Sequence, residues 1–261
     1  MSDVLALWPR GWSREQRSTA TIVAASIALV LVMWLIAKPL ALLPEPIGPV
    51  AEEFGEGTRT TVWLTVVSGL AGVAIGVLAA VAKLAPFAPI RWAAAFYVWV
   101  IRGTPLLVQV LFVYFALPLI VPVQLSDFSS AALALAVNVG AYNAEAIRAG
   151  IVAVPKGQTE AARSLGLSPI RTFLDVVFPQ AFKISLPPLV NNVVALLKDS
   201  SLAYVIGVVE ITNIGGRVQA STFQPVPVFF TTAGIYLVLT TVLTQISGAI
   251  EARLDIEQRG R

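Results

Sequence analysis

Val152-Ala-Val-Pro-Lys-Gly-Gln-Thr-Glu-Ala-Ala-Arg-Ser-Leu-Gly-Leu-Ser-Pro-Ile-Arg171 is a polar interval between two long apolar runs. Its punctuation reads as two helices meeting at a corner. Residues 158–165 suit a short helix, Gly166 fits the left-handed position after its last turn, and Ser168 and Pro169 suit the cap and first position of the next helix. A short helix held by the ends of two membrane spans is a rigid knob that a partner could grip. Glu160 and Arg163, one turn apart, either form a weak pair or face that partner, and Ala161 with Ala162 keeps one side narrow for close contact.

The composition on either side agrees with spans. Of 261 residues, 57% are hydrophobic and 13% charged, against about 45–50% and about 25% in an ordinary soluble domain, and mean hydropathy is +0.80. A helix needs about 20 apolar residues to cross about 30 Å of hydrocarbon. Six segments are candidates: 18–37, 60–82, about 92–117, 129–146, about 176–206 and 228–250. Arg102, Gly103 and Pro105 interrupt the third, and the fourth is shorter and more polar. Pro179, Pro187 and Pro188 break the fifth, which is expected to be bent or discontinuous. Ser68, Gly72, Gly76 and Ala80 recur every fourth position in the second and predict a helix-packing seam.

Six crossings put both termini on one side, and the positive-inside rule chooses which. Arg10, Arg14, Arg17, Lys83, Arg91, Arg148, Lys156, Arg163, Arg171, Arg253, Arg259 and Arg261 fall on the N-terminal side, against Lys38, Arg59 and Arg217 on the other. Both termini are therefore expected in the cytoplasm. A signal peptide competes for the first segment, but an uncharged run of 20 residues exceeds the usual apolar region of about 7–15.

Three features carry a resemblance. Glu160-Ala161-Ala162, then Gly166, then Val176-Val177-Phe178-Pro179 resemble the EAA loop of permease subunits in bacterial ABC importers, with Val176 and Phe178 in place of Ile and Leu. Arg102-Gly-Thr-Pro-Leu-Leu-Val-Gln109, Asn138-Val-Gly-Ala-Tyr142 with Glu145, and Leu186-Pro-Pro188 followed by Leu197-Lys-Asp-Ser-Ser-Leu202 resemble the polar-amino-acid branch of that family. Val139 and Asn143 depart from the branch's pattern. The resemblance implies an all-α integral membrane bundle, a type I importer core of five helices at 55–254. It leaves 1–54 as a tail, an extra N-terminal helix and a linker, and 255–261 as a cytoplasmic tail. It also implies a bacterial inner-membrane location, a cytoplasmic ATPase dimer, an extracytoplasmic solute-binding protein, and a second permease, identical or related. Gln158, Glu160, Ala161, Ala162, Arg163, Ser164, Leu165 and Gly166 would form the coupling helix that docks in the ATPase, which would hold the ATP and Mg.

Candidate path residues keep two readings each. Arg102 either snorkels or is paired within the bundle, or it lines the path. Asn138, Tyr142 and Glu145 share one helix face, where Asn138 and Tyr142 serve helix packing or line the path, and Glu145 is expected to pair with Arg148. Lys198 and Asp199, next to Ser200, form a structural charge pair or recognise the two ends of a zwitterion.

The sequence also excludes function classes. It holds no Cys and no His, which removes thiolate or imidazole metal sites and any nucleophile activated by His, so no catalytic or metal site is expected. No Lys follows the Gly that a P-loop requires, so ATP would be bound by a partner. The net charge of +3 is dispersed among loops, which speaks against nucleic acid. An ion-coupled secondary transporter is the competing reading, but it favours broken helices in two corresponding halves, and only the fifth span is plainly broken.

Overall fold

Long apolar runs free of breakers give long helices, and the computed structural model describes residues 8–9 and 11–259, with side chains as far as Leu254. Arg10, Arg261 and the side chains of the expected tail at 255–261 lie outside the described residues. Helix α1 (Arg14–Leu35) starts at a capping box, where the Ser13 side chain accepts from Gln16 N–H and the Gln16 side chain accepts from Ser13 N–H. A short α2 (Ala37–Leu40) leads to α3 (Ala51–Leu84). Then come α4 (Ala88–Gly103), α5 (Leu106–Leu111), a π turn at Phe112–Ala116 and α6 (Leu117–Ile120). Helix α7 (Asp127–Val152) precedes the short α8 (Lys156–Ser164) and the single turn α9 (Pro169–Arg171). A π turn at Thr172–Val177, α10 (Phe178–Asp199), α11 (Ile211–Thr222) and α12 (Pro225–Arg259) complete the order, with no strand among the described residues.

Among the described residues, four helices are long and apolar enough to cross a bilayer: Arg14–Leu35, Gly48–Leu84, Pro169–Ile206 and Pro225–Leu254. The bent pair Ala88–Gly103 with Leu106–Ile120 makes a fifth if counted as one span. The expected crossing at 129–146 lies in α7, whose 26 residues are long enough but less apolar than those helices. The reason is its position. α7 is walled in by α3, α4 and α10, so its small and polar residues Ala134, Asn138, Gly140, Asn143 and Ala144 face protein and not lipid. The outer surface is apolar instead, with Trp63, Leu70, Leu78, Trp92, Trp99, Phe230 and Leu237 exposed, as a bundle solvated by lipid requires.

The predicted seam holds α3 to α7. A Cβ on Gly76 would meet Asn143 Cβ at 2.6 Å and Ala144 N at 3.2 Å, and one on Gly72 would meet Ala136 O at 3.2 Å. Higher numbers on α3 meet higher numbers on α7, so the two run parallel. Helix α1 packs along α12 and touches α3, and an ion pair of 3.3 Å between Arg253 and Glu15 brings the start of α1 to the end of α12.

The expectation that the fifth span is discontinuous is corrected here. The sharp break falls in the third span, where α4 and α5 meet at 110°, while Pro169–Ile206 runs on as one 38-residue helix. Thr104 precedes Pro105 and is extended, at φ −117° and ψ 147°, because proline crowds the helical region for the residue before it. Pro187 and Pro188 lie inside α10, and each removes one N–H donor without ending the helix. Pro179 falls in the first turn of α10, next to the wide turn of Thr172–Val177, where a missing donor is tolerated.

Candidate functional site

The knob is built as its punctuation implies, starting two residues earlier and ending one residue earlier. α8 spans Lys156–Ser164, and Gly166 takes φ +83°. Gly166 N–H donates to Arg163 O at 2.9 Å and Leu167 N–H to Ala162 O at 3.2 Å, the paired bonds of a Schellman ending. Ser168 then caps the next turn by accepting from Arg171 N–H, with Pro169 at its start. Ala162 is buried as α8 packs on the π turn Thr172–Val177, whereas Gln158, Glu160, Ala161, Arg163, Ser164 and Leu165 are exposed. Among the described residues no ion pair joins Glu160 to Arg163, so both charges stay available to a partner.

A cleft of about 390 Å³ lies between the α4–α5 break, α7 and α10, lined by Thr104, Asn138, Tyr142, Asn192 and Asp199 among others. It brings together three of the sequence candidates. Arg102 stands at its edge, its guanidinium 5.1 Å from the centroid of the Tyr142 ring, with no ion pair among the described residues. Two candidates lie elsewhere. Lys198 is exposed and forms no ion pair with Asp199, since neighbours on a helix point about 100° apart. Ser200 is fully buried and donates to Leu197 O at 2.7 Å. The cleft sets its polar side chains beside Leu106, Val139, Ala195, Leu196 and Leu202, a partly polar recess in an apolar bundle. Among the described residues no group of three or more acidic side chains is placed to hold a metal.

Glu145 pairs with Arg148 at 2.9 Å, as the helix spacing implies, and also with Lys83 at the end of α3. The three charges tie α3 to the stretch of α7 that leads into α8. Replacing Lys83 by Met leaves Glu145 its Arg148 partner, so a loss of about 1–2 kcal/mol is expected, between the exposed and buried limits for ion pairs. A lowered melting temperature in detergent checks it.

Sequence reasoning missed Asn192 and Glu210. Asn192 donates through Nδ2 to Asn143 Oδ1 at 2.9 Å, and nothing in its local sequence sets it apart from Asn191. Glu210 is fully buried and caps α11, accepting from Thr212 N–H and Asn213 N–H at 2.8 Å each and from Tyr236 OH at 2.7 Å. Burial pushes its carboxyl above the ordinary range, against the donors that favour the charged form. An acidic residue alone in an apolar stretch, directly before a helix, was the available signal.

Residues 72–256 match the family described as binding-protein-dependent transport system inner membrane component. The L-cystine transport system permease protein of Bacillus subtilis (strain 168) is 39% identical over 200 residues, 76% of this chain and 85% of that protein. The arginine transport system permease protein of the same organism is 39% identical over 199 residues, 76% of this chain and 91% of that protein. Among solved structures, the crystal structure of an amino acid ABC transporter with histidines gives a TM-score of 0.74 at 38% identity, over 78% of this chain and 95% of that one. A bundle walled by lipid-facing apolar helices, with a polar cleft and an exposed corner helix, is thus matched over most of its length, and the chain belongs to the family of inner membrane components of binding-protein-dependent transport systems.

Proposed function

We propose that this chain is the permease subunit of an ABC importer for a polar amino acid, seated in a bacterial inner membrane with both termini in the cytoplasm. The relatives named for cystine and arginine transport support the substrate class. Residues 55–254 are the permease core, 1–54 an appended helix with its flanks, and 255–261 a cytoplasmic tail. A solute-binding protein delivers the amino acid from the outer side, a second permease completes the path, and a separate ATPase dimer holds ATP and Mg.

The observation that carries this reading is α8: a short, capped, rigid helix with Ala162 buried inward and Glu160, Arg163 and Leu165 facing out. Docked in an ATPase, it passes closure to α7 and α10, between which it is strung. ATP binding drives alternating access only if those contacts differ in free energy between the two states of the permease. The cleft of Asn138, Tyr142, Asn192 and Asp199 is then the solute path, with Arg102 at its edge. Lys198 and Ser200 lie outside the cleft lining.

Glu160→Lys is expected to abolish copurification of the ATPase and ATP-dependent uptake in proteoliposomes, while leaving the permease folded by size exclusion. Uptake driven by an ion gradient without any ATPase overturns the reading. The ion-coupled alternative gains no support from the relatives.

A further inference from the structure

Gln109 holds a position the transport reading has not used. Its Nε2 donates to Ile101 O at 2.8 Å, to Thr104 O at 3.2 Å and to Thr104 Oγ1 at 2.9 Å. All three oxygens belong to the end of α4 and the break beyond it, where a helix leaves carbonyls without intrahelical partners. An amide has two N–H donors on one side and one carbonyl oxygen on the other. Once the break has taken the donors, Oε1 is left to accept, and it accepts from Asn138 Nδ2 at 3.0 Å. That bond fixes the Asn138 amide in turn. With one N–H of its amide engaged by Gln109, Asn138 turns its carbonyl oxygen away from Gln109, and Asn138 lines the cleft.

We propose that Gln109 is a positioning residue of the solute path: by orienting the Asn138 amide it makes this wall of the cleft a hydrogen-bond acceptor, which selects solutes presenting N–H groups there. Two neighbours have the same polarity. Thr104 donates its hydroxyl proton to Val100 O at 2.9 Å, so towards the cleft its oxygen has only lone pairs to give. Asn192 donates one N–H of Nδ2 to Asn143, and its carbonyl oxygen is left to accept. With the carboxylate of Asp199 in the same lining, this wall gathers acceptors for an ammonium, amide or guanidinium group, while the Tyr142 hydroxyl and the Arg102 guanidinium at the edge supply donors. A solute offering only acceptors finds no partner among these oxygens and leaves them desolvated, which is how a hydrogen-bonding site rejects the wrong ligand.

This inference rests on the reading of the cleft as the solute path, so the test separates the two. Equilibrium binding of tritiated L-arginine, L-histidine, L-glutamine and L-cystine to the purified permease–ATPase complex, without binding protein, identifies the tightest probe, and its Kd is then followed through variants. Asn138→Ala and Gln109→Leu are each expected to weaken binding about tenfold, the scale of one hydrogen bond to a charged group. The double variant is expected to match the single ones, because Gln109 acts through Asn138. Gln109→Glu keeps an oxygen for Asn138 Nδ2 but not the donors to the break, and is expected to bind within about twofold of the unaltered protein. A residue that merely capped α4 would show the opposite order, with Glu at least as damaging as Leu. Basal ATPase activity and melting temperature report whether each variant is folded. Saturable binding of none of the four probes, or no effect of Asn138→Ala, overturns the path reading and this inference with it. An effect of Asn138→Ala with none from Gln109→Leu, additive losses in the double variant, or a Glu variant no better than Leu overturns the role of Gln109 alone.

Discussion

Gly76→Leu is expected to prevent the permease from accumulating in folded form, with loss of the monodisperse peak in detergent and of any cooperative melting transition. The effect follows from what faces the glycine. A Cβ at this position would lie 2.6 Å from Asn143 Cβ and 3.2 Å from both Ala144 N and Gly140 O. Two of those three atoms are backbone, so no side-chain rotation relieves the clash, and α3 must separate from α7. The seam is two-sided, since a Cβ on Gly140 would meet Ile75 Cβ and the Tyr97 hydroxyl, each at 3.0 Å. Overpacking of a close-packed site costs about 1–3 kcal/mol and more where backbone must move. Here separation also forfeits packing along the whole helix pair, which in lipid is not replaced by a hydrophobic driving force. Gly216→Ala is the control. Nothing lies within 4 Å of its added Cβ, and the residue is exposed within α11, so the substitution is expected to be neutral or to stabilise by about 0.5–1 kcal/mol. Equal behaviour of the two variants would remove the seam as the organising contact.

How far this could be read from the sequence depends on the range of the interaction. The seam on α3 was visible because close helix approach demands small residues at a helical repeat, and Ser68, Gly72, Gly76 and Ala80 supply it. Its partner was not visible, since Ala136, Gly140 and Ala144 repeat just as regularly on a helix that could have faced several others. The corner at α8 was legible almost to the residue because glycine at positive φ, a serine cap and a first-turn proline are local chemistry. The prolines misled for a related reason: sequence marks where a donor is missing but not whether the surrounding helix absorbs the loss. Pro187 and Pro188 lie within continuous α10, while Pro105, aided by the extended Thr104, turns the chain by 110°. In the cleft, Asn138 and Tyr142 were legible from their shared helical face. Lys198 and Asp199 were adjacent in sequence and so were read as acting together, yet only Asp199 faces the cleft. Gln109 reaches Asn138 across 29 positions and Lys83 reaches Glu145 across 62, distances at which a single sequence gives no pairing signal.

Glu210→Ala is the second substitution expected to unmake the fold. Removing the carboxylate strands Thr212 N–H and Asn213 N–H in a site where Glu210 itself has no exposure, and leaves the Tyr236 hydroxyl only the Thr212 hydroxyl at 3.2 Å. An unsatisfied buried donor costs about 1–3 kcal/mol, and partial access of water to the cavity left behind reduces the sum, so a total of about 3–5 kcal/mol is expected. The consequence is local first. Ile211 and Ile214 are fully buried beside Phe54 and Val228, so α11, which the carboxylate caps, is the piece that anchors the starts of α3 and α12 to each other. Tyr236→Phe removes one donor and leaves the cap, and is expected to cost about 1–1.5 kcal/mol. A pH series separates the charge from the shape. Because burial raises the folded carboxyl above its ordinary value of 4.5, the folded protein holds this proton more tightly than the unfolded chain does. Its contribution to stability is therefore fully present below about pH 4.5 and is lost as pH rises through the folded value. Glu210→Gln cannot titrate, so the difference in melting temperature between the unaltered protein and this variant is expected to shrink as pH is raised from 4.5 to 8. A difference that widened over that interval would mean that the donors from Thr212, Asn213 and Tyr236 outweigh burial, with the carboxylate held charged throughout.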